Sequence, residues 1–109
     1  MQRPEEIEPR DLEVRLQKGD PTYHIDVRQP CEHELVSLPD QLLAPLDRLS
    51  SLAAQIQPPP GALVVCYCHH GVRSLHAAAM LSAAGMPAGS LAGGIDRWSV
   101  EIDPGLAQY

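Results

Sequence analysis

Apolar residues fall into two rhythms along this chain, and the switches between them mark out its elements. The segment PRDLEVRLQK, residues 9–18, carries Leu12, Val14 and Leu16 among charges. Proline at its start and Gly19 just beyond its end predict a short helix. YHIDV at 23–27 is a brief run of strand formers. RQP breaks it, and Pro30 then falls in the first turn of a helix predicted over CEHELVS. DQLLA lies between Pro39 and Pro45, so it forms at most a short strand at a sheet edge. Beyond Pro45, Leu46, Leu49, Leu52, Ala53 and Ile56 recur at helical spacing until PPPG at 58–61 ends that helix.

ALVVCY at 62–67 breaks the rhythm. It is almost continuously apolar and of strand length, the pattern of a strand covered on both faces, and is the candidate central strand. SLHAAAMLSAAG, from Ser74 to Gly85, has the small residues and terminal glycine of a packed helix. A short strand near 88–91, two glycines and a last helix beginning near Ile95 complete the order, with no repeat and no linker. Strands and helices alternate, which predicts an α/β domain: a mainly parallel central sheet, right-handed crossovers, and helices on both faces. The 109 residues suit one domain, 1–109, with no room for a second catalytic one. With no Phe, one Trp and three Tyr, packing falls to Leu and Ala, and Ala lets helices approach a sheet closely.

Charge and cysteine usage narrow the function. A formal net charge of −6, with Lys18 the only lysine, argues against a nucleic-acid partner, because phosphate binding relies on clustered cations. The acidic residues concentrate before residue 48 and read as a solvated face. No apolar run approaches the roughly 18 residues of a membrane span. MQRPEEIEPR lacks the apolar middle of a signal peptide, so the expectation is a cytoplasmic protein with no membrane partner. Cys66-Tyr67-Cys68 is one residue short of a CxxC redox pair, and three cysteines in a reducing compartment are expected to be free thiols.

Candidate chemistry gathers in VVCYCHHGVRSLHAAAM, residues 64–80. Between a strand at 62–67 and the following helix, CHHGVR is the turn at the strand's carboxyl end, where open α/β sheets bind ligands. Cys68 is then the first residue out of the sheet, facing backbone N–H groups and the positive end of a helix. Such surroundings lower a cysteine pKa from about 8.5 and make a nucleophile. Gly71 permits the backbone conformation that wraps a loop around the sulfur. Arg73 is either a fork of donors for a substrate oxyanion or a structural anchor of the loop.

IDVRQPCEHE at 25–34, YCHHGVRS at 67–74 and LAGGIDRW at 91–98 resemble, in order and separation, the three hallmark segments of rhodanese-like sulfurtransferase domains. VEIDPGLAQY resembles the tail of single-domain members and of modules fused to ubiquitin-activating-like enzymes. The resemblance implies that Cys68 takes a sulfane sulfur, from thiosulfate or a protein persulfide, and hands it to cyanide, a thiol or a carrier protein. It implies that His69, His70, Gly71, Val72 and Arg73 cradle the outer sulfur, that Asp26 and Arg28 support the loop, and that no cofactor takes part. Because a chain this short supplies no companion domain, an open active site is expected. Two departures stand out. SLPDQ at 37–41 replaces the common HIPGA, and His69 and His70 stand where dedicated thiosulfate enzymes often carry stronger cations.

Competing readings are weaker. A docking or metal-carrying module on the same fold does not need Cys68. Cysteine phosphatases use C-x5-R, whereas four residues separate Cys68 from Arg73, and Ser74 stands where that arginine would be. Cys66, Cys68, His69, His70 and His76 are soft-metal ligands by type, but packed too tightly to form a tetrahedron, so no metal is expected. A structural thiol is the bland reading of Cys68, weakened by its place between an apolar strand and Gly71. Cys66 alternates with Tyr67 and reads as core, Cys31 as incidental, His24 and His33 as surface, and Gly93 and Gly94 as turn residues.

Overall fold

The apolar run at 62–67 becomes strand β4 (Leu63–Tyr67) in the middle of a five-stranded sheet in a computed structural model that describes residues 5–109. The first four residues of the segment read as lacking signal-peptide character lie outside the described residues. The other strands are β1 (Glu6–Ile7), β2 (Thr22–Asp26), β3 (Leu42–Leu43) and β5 (Gly89–Leu91). Their order is β1-β5-β4-β2-β3, and every pairing is parallel. The expected α/β architecture is therefore present, with an all-parallel sheet. Helices α1 (Pro9–Lys18), α2 (Pro30–Leu35), α3 (Leu49–Leu52) and α4 (Val72–Ala83) lie between the strands, and α5 (Gly94–Glu101) follows β5.

Period-two alternation along β4 divides the core. Val64, Cys66 and Cys68 join Ile25, Leu49, Ala77, Ala78 and Leu81 on the face covered by α3 and α4. Val65 and Tyr67 join Leu12, Leu91, Ile95 and Trp98 on the face covered by α1 and α5. Ala77 and Ala78 are fully buried, so α4 approaches the sheet closely where it presents only methyl groups.

Three differences from the sequence pattern have local causes. The helix predicted from Pro45 breaks into a 3-10 turn (Leu46–Arg48), α3 and a second 3-10 turn (Ala53–Gln55). Leu46, Leu49 and Leu52 are three apart, a spacing that suits 3.0 residues per turn as well as 3.6. Strand β1 was not predicted, because two residues are too few to show alternation. It is held by pairing to β5 and by Ile7, which crosses Gly89 where any Cβ would collide with it. His24, expected at the surface, is buried on β2 with its Nδ1 at 2.7 Å from the Pro39 carbonyl. Among the described residues, no helix is long and apolar enough to cross a membrane.

Sheet order brings the hallmark segments together. Asp26 and Tyr67 are register partners at the carboxyl ends of β2 and β4, and β5 flanks β4 on the other side. Chains leaving these three adjacent strands therefore meet at one edge of the sheet.

Candidate active site

Cys68 follows β4 directly and its residue surface is only 1% exposed. Its Sγ accepts N–H bonds from Gly71 at 3.1 Å and Ser74 at 3.4 Å, and the thiol lies 3.4 Å from Ser74 Oγ. Ser74 Oγ in turn meets Ser90 Oγ of β5 at 2.7 Å, both serines being fully buried. The loop wraps the sulfur because Gly71, with φ +99°, turns the chain back into α4. First-turn N–H groups of a helix have no intrahelical acceptor, so the start of α4 presents donors to whatever Cys68 carries. The site is less open than chain length suggests. It is the loop itself that covers the thiol.

The loop's outer side is held by α5. Ile95 N–H donates to the Cys68 carbonyl at 2.8 Å and Asp96 N–H to the His69 carbonyl at 3.1 Å. These two carbonyls are thus taken up by α5, while the Gly71 and Ser74 amides face the sulfur. Such closeness requires glycine at 94, which has φ +63° and where a Cβ would overlap the carbonyl oxygens of Cys68 and His69. Gly94→Ala is expected to lower stability by about 1–3 kcal/mol through backbone strain alone. The overlap adds to that cost. Gly85→Ala is the control, since Gly85 has φ +93° but nothing near its Cβ. Urea midpoints of the two variants should separate clearly, and equal midpoints would mean that α5 simply moves away.

Below the loop is a buried charge network. Arg28 and Asp26 side chains are both 0% exposed and pair through Nη2–Oδ2 at 2.8 Å and Nε–Oδ1 at 2.9 Å. Arg28 also donates to the carbonyls of Val36 at 2.7 Å and Glu32 at 3.3 Å. Its own burial works against the charge, but bonds to Asp26 and Tyr109 raise its pKa further above the usual range. His33, expected only at the surface, donates from Nδ1 to Asp26 Oδ2 at 2.8 Å. Asp40, from the divergent SLPDQ stretch, accepts the Tyr67 hydroxyl at 2.6 Å, and burial raises its pKa. That stretch departs from the common pattern in residue type yet remains tied to the site.

Arg73 points to α2 and pairs with Glu32 through both terminal nitrogens, at 2.6 and 2.9 Å. The hydrogen bond from Arg73, opposed by burial, is the main cause holding the Glu32 carboxyl down at about 2. Glu32 Oε1 also accepts the Gln29 N–H at 3.1 Å, capping α2. In this structure the fork that an oxyanion would use is thus occupied by a carboxylate, and it ties the helical end of the loop to α2.

The structure brings together all the residues singled out from the sequence: Cys68, His69, His70, Gly71, Val72 and Arg73 in the loop, with Asp26 and Arg28 behind it. Val72 is well exposed at the loop's outer edge. Cys66 lies on the same sheet face as Cys68, fully buried, and burial pushes its thiol up to about 12, which keeps it protonated. Sequence reading did not assign roles to Glu32, Ser74, Ser90 or Tyr109. Only Ser74 carried a signal, since it sits at the third position of α4, where N–H groups point back to the turn. Among the described residues, the groups whose ligand atoms approach within 4.8 Å are His69 with His70 and Asp96, and Asp26 with His33 and Asp40. Neither includes a cysteine. The two loop imidazoles stack at 3.8 Å, which sets their in-plane lone pairs side by side, and Asp26 is already committed to Arg28.

A family model, that of the rhodanese-like domain, matches residues 8–101. A Mycobacterium tuberculosis protein described as a probable adenylyltransferase/sulfurtransferase, MoeZ, is 35% identical over 104 residues, covering 94% of this chain. The chain spans about a quarter (26%) of that relative's length. Among solved structures, a rhodanese-like domain protein from Staphylococcus aureus superposes with a TM-score of 0.79 at 25% identity, covering 96% of this chain and 98% of the other. A human single-domain sulfurtransferase shares the fold with a TM-score of 0.74 at 23% identity, covering 88% and 96% respectively.

Proposed function

The chain belongs to the rhodanese-like domain family, and on that premise we propose that it is a sulfurtransferase whose Cys68 carries a sulfane sulfur as a persulfide. One observation carries the reading: Cys68 Sγ sits at the start of α4 with the Gly71 and Ser74 N–H groups aimed at it. Donors fixed in that way hold the sulfur in place and are positioned to bond the negative charge of a persulfide carried on it. In the first half-reaction the Cys68 thiolate attacks the outer sulfur of thiosulfate or of a protein persulfide. A new S–S bond forms as the donor's breaks, and the electron pair leaves with sulfite or with the donor thiolate. In the second, cyanide, a thiol or a carrier protein attacks the outer sulfur, and Cys68 leaves as a thiolate. Atoms and electrons balance in both steps without a cofactor.

In this reading the backbone of His69, His70, Gly71, Val72 and Arg73 cradles the transferred sulfur as amides cradle an oxyanion. The Arg73 side chain contributes position through Glu32, and Asp26 with Arg28 hold the floor. A cytoplasmic setting suits the chemistry, because Cys31, Cys66 and Cys68 are all unpaired thiols and the reaction needs Cys68 reduced. A sulfur-donor or sulfur-carrier protein is the partner class that the likeness to MoeZ supports.

The test is the intact mass of the purified protein after thiosulfate, then after cyanide. The expected result is a gain of one sulfur atom that cyanide removes. If neither thiosulfate nor a persulfidated protein adds sulfur, a docking or metal-carrying module replaces the enzyme reading.

A further inference from the structure

Tyr109 makes contacts that the thiol's immediate surroundings do not require. Its ring lies flat on His69, with centroids 3.9 Å apart and planes 11° from parallel, and His69 stacks in turn on His70. Its hydroxyl accepts from Arg28 Nη1 at 2.9 Å and donates to Glu32 Oε2 at 2.8 Å. Arg28 also lies 5.7 Å from the ring centroid. Burial raises the Tyr109 hydroxyl above its usual range, so it remains a donor. One side chain thus touches both ends of the active loop: His69, next to Cys68, through its ring, and Arg73 through Glu32.

We propose that Tyr109 is a positioning residue for the persulfide loop, its ring fixing the His69 end and its hydroxyl the Arg73 end. The inference rests on the sulfur-transfer reading of Cys68. Its physical basis is the short reach of the N–H donors. Gly71 and Ser74 aim at one sulfur from 3.1 and 3.4 Å, and such bonds weaken steeply when a loop bends or lengthens between its anchors. Apart from its stack on His70, the His69 ring has little else to hold it, since its buried Nε2 has no hydrogen-bond partner. Without Tyr109 the imidazole loses its flat support, and Glu32 loses the link to the buried Arg28.

Two variants of the full chain, Tyr109→Ala and Tyr109→Phe, separate positioning from simple cover. The readouts are the single-turnover rate of sulfur uptake from thiosulfate, the rate of Cys68 alkylation by iodoacetamide followed on the Cys68 peptide, and the melting temperature. Tyr109→Ala is expected to slow uptake by roughly 10–100-fold, the cost of misplacing reacting groups. Alkylation is expected to quicken as the loop opens. Tyr109→Phe keeps the stack but removes the hydroxyl that bonds Arg28 and Glu32, so its uptake is expected between the alanine and wild-type rates, and a rate equal to wild type would overturn the role given to the hydroxyl. Uptake and alkylation rising together in Tyr109→Ala would make Tyr109 a mere cover and overturn the proposal, as would both rates staying at the wild-type level. A phenylalanine variant no better than alanine would overturn the role given to the ring. If the wild-type chain takes up sulfur from neither thiosulfate nor a persulfidated protein, the sulfur-transfer reading fails instead. The loop role is then read from alkylation alone, and an unchanged rate in Tyr109→Ala overturns it.

Discussion

Cys68→Ala is expected to abolish the cyanide-reversible gain of sulfur and to reduce any thiosulfate:cyanide activity by about 10³-fold or more, the scale seen when a nucleophile is removed. The fold should survive. What the substitution removes from the structure is an acceptor for two amides, Gly71 and Ser74, and each buried donor left without a partner costs roughly 1–3 kcal/mol. Cys68→Ser is the sharper control. Its hydroxyl is an acceptor in nearly the same place, so the loop keeps much of its bonding, but oxygen does not form the persulfide. Both variants should therefore show no added mass, with melting temperatures ordered wild type, serine, alanine. Added mass that survived in Cys68→Ser would place the carrier elsewhere, with the exposed Cys31 the next thiol to examine. Cys66 is a poor substitute, since its thiol is buried and pushed up to about 12.

Arg28→Ala is expected to have the largest effect on stability. It leaves the Asp26 carboxylate fully buried without its bidentate partner, and breaking a buried ion pair in this way costs about 3–5 kcal/mol. For a chain of this size that is a fall in melting temperature of more than about 10 °C. Three further groups each lose one hydrogen bond at the same time: the Val36 and Glu32 carbonyls and the Tyr109 hydroxyl. Combining Arg28→Met with Asp26→Asn should recover part of the loss, because it removes the unpaired charge and fills some of the volume. If Arg28→Ala costs under about 1 kcal/mol, His33, 2.8 Å from Asp26, is carrying the compensation and the network is organised around it instead.

These two residues differ in how plainly their importance could be seen. Cys68 is visible in the chain because its context is contiguous: an apolar strand, a cysteine, a glycine and a helix within a short span. Arg28 is visible only as a member of IDVR. Its burial depends on α2 and the Tyr109 end of the chain closing over it, and Tyr109 stands 81 positions away. The case of Arg73 is similar. As a residue type it serves an oxyanion or an anchor equally well, and the choice made in the structure depends on Glu32 on a different helix, 41 positions earlier. Glycines 93 and 94 read as turn residues; Gly93 lies in the turn and Gly94 opens α5. What no local pattern shows is that Gly94 presses against the Cys68 and His69 carbonyls.

By itself the sequence determined the alternation of strands and helices from α1 onward, β4 as the central strand, the α/β class and the loop that bears the thiol. All of these follow from periodicity, proline and glycine chemistry, and turn composition within a few residues of chain. Tertiary structure alone decided the rest: β1 pairing on β5, the 3-10 breaks around α3, the Tyr67–Asp40 bond across 27 positions, the Glu32–Arg73 pair, and the stack of Tyr109 on His69. Those contacts depend on where parallel crossovers deliver side chains after long excursions. Strand order and helix packing set that delivery, and neither is written in the local pattern of any single segment.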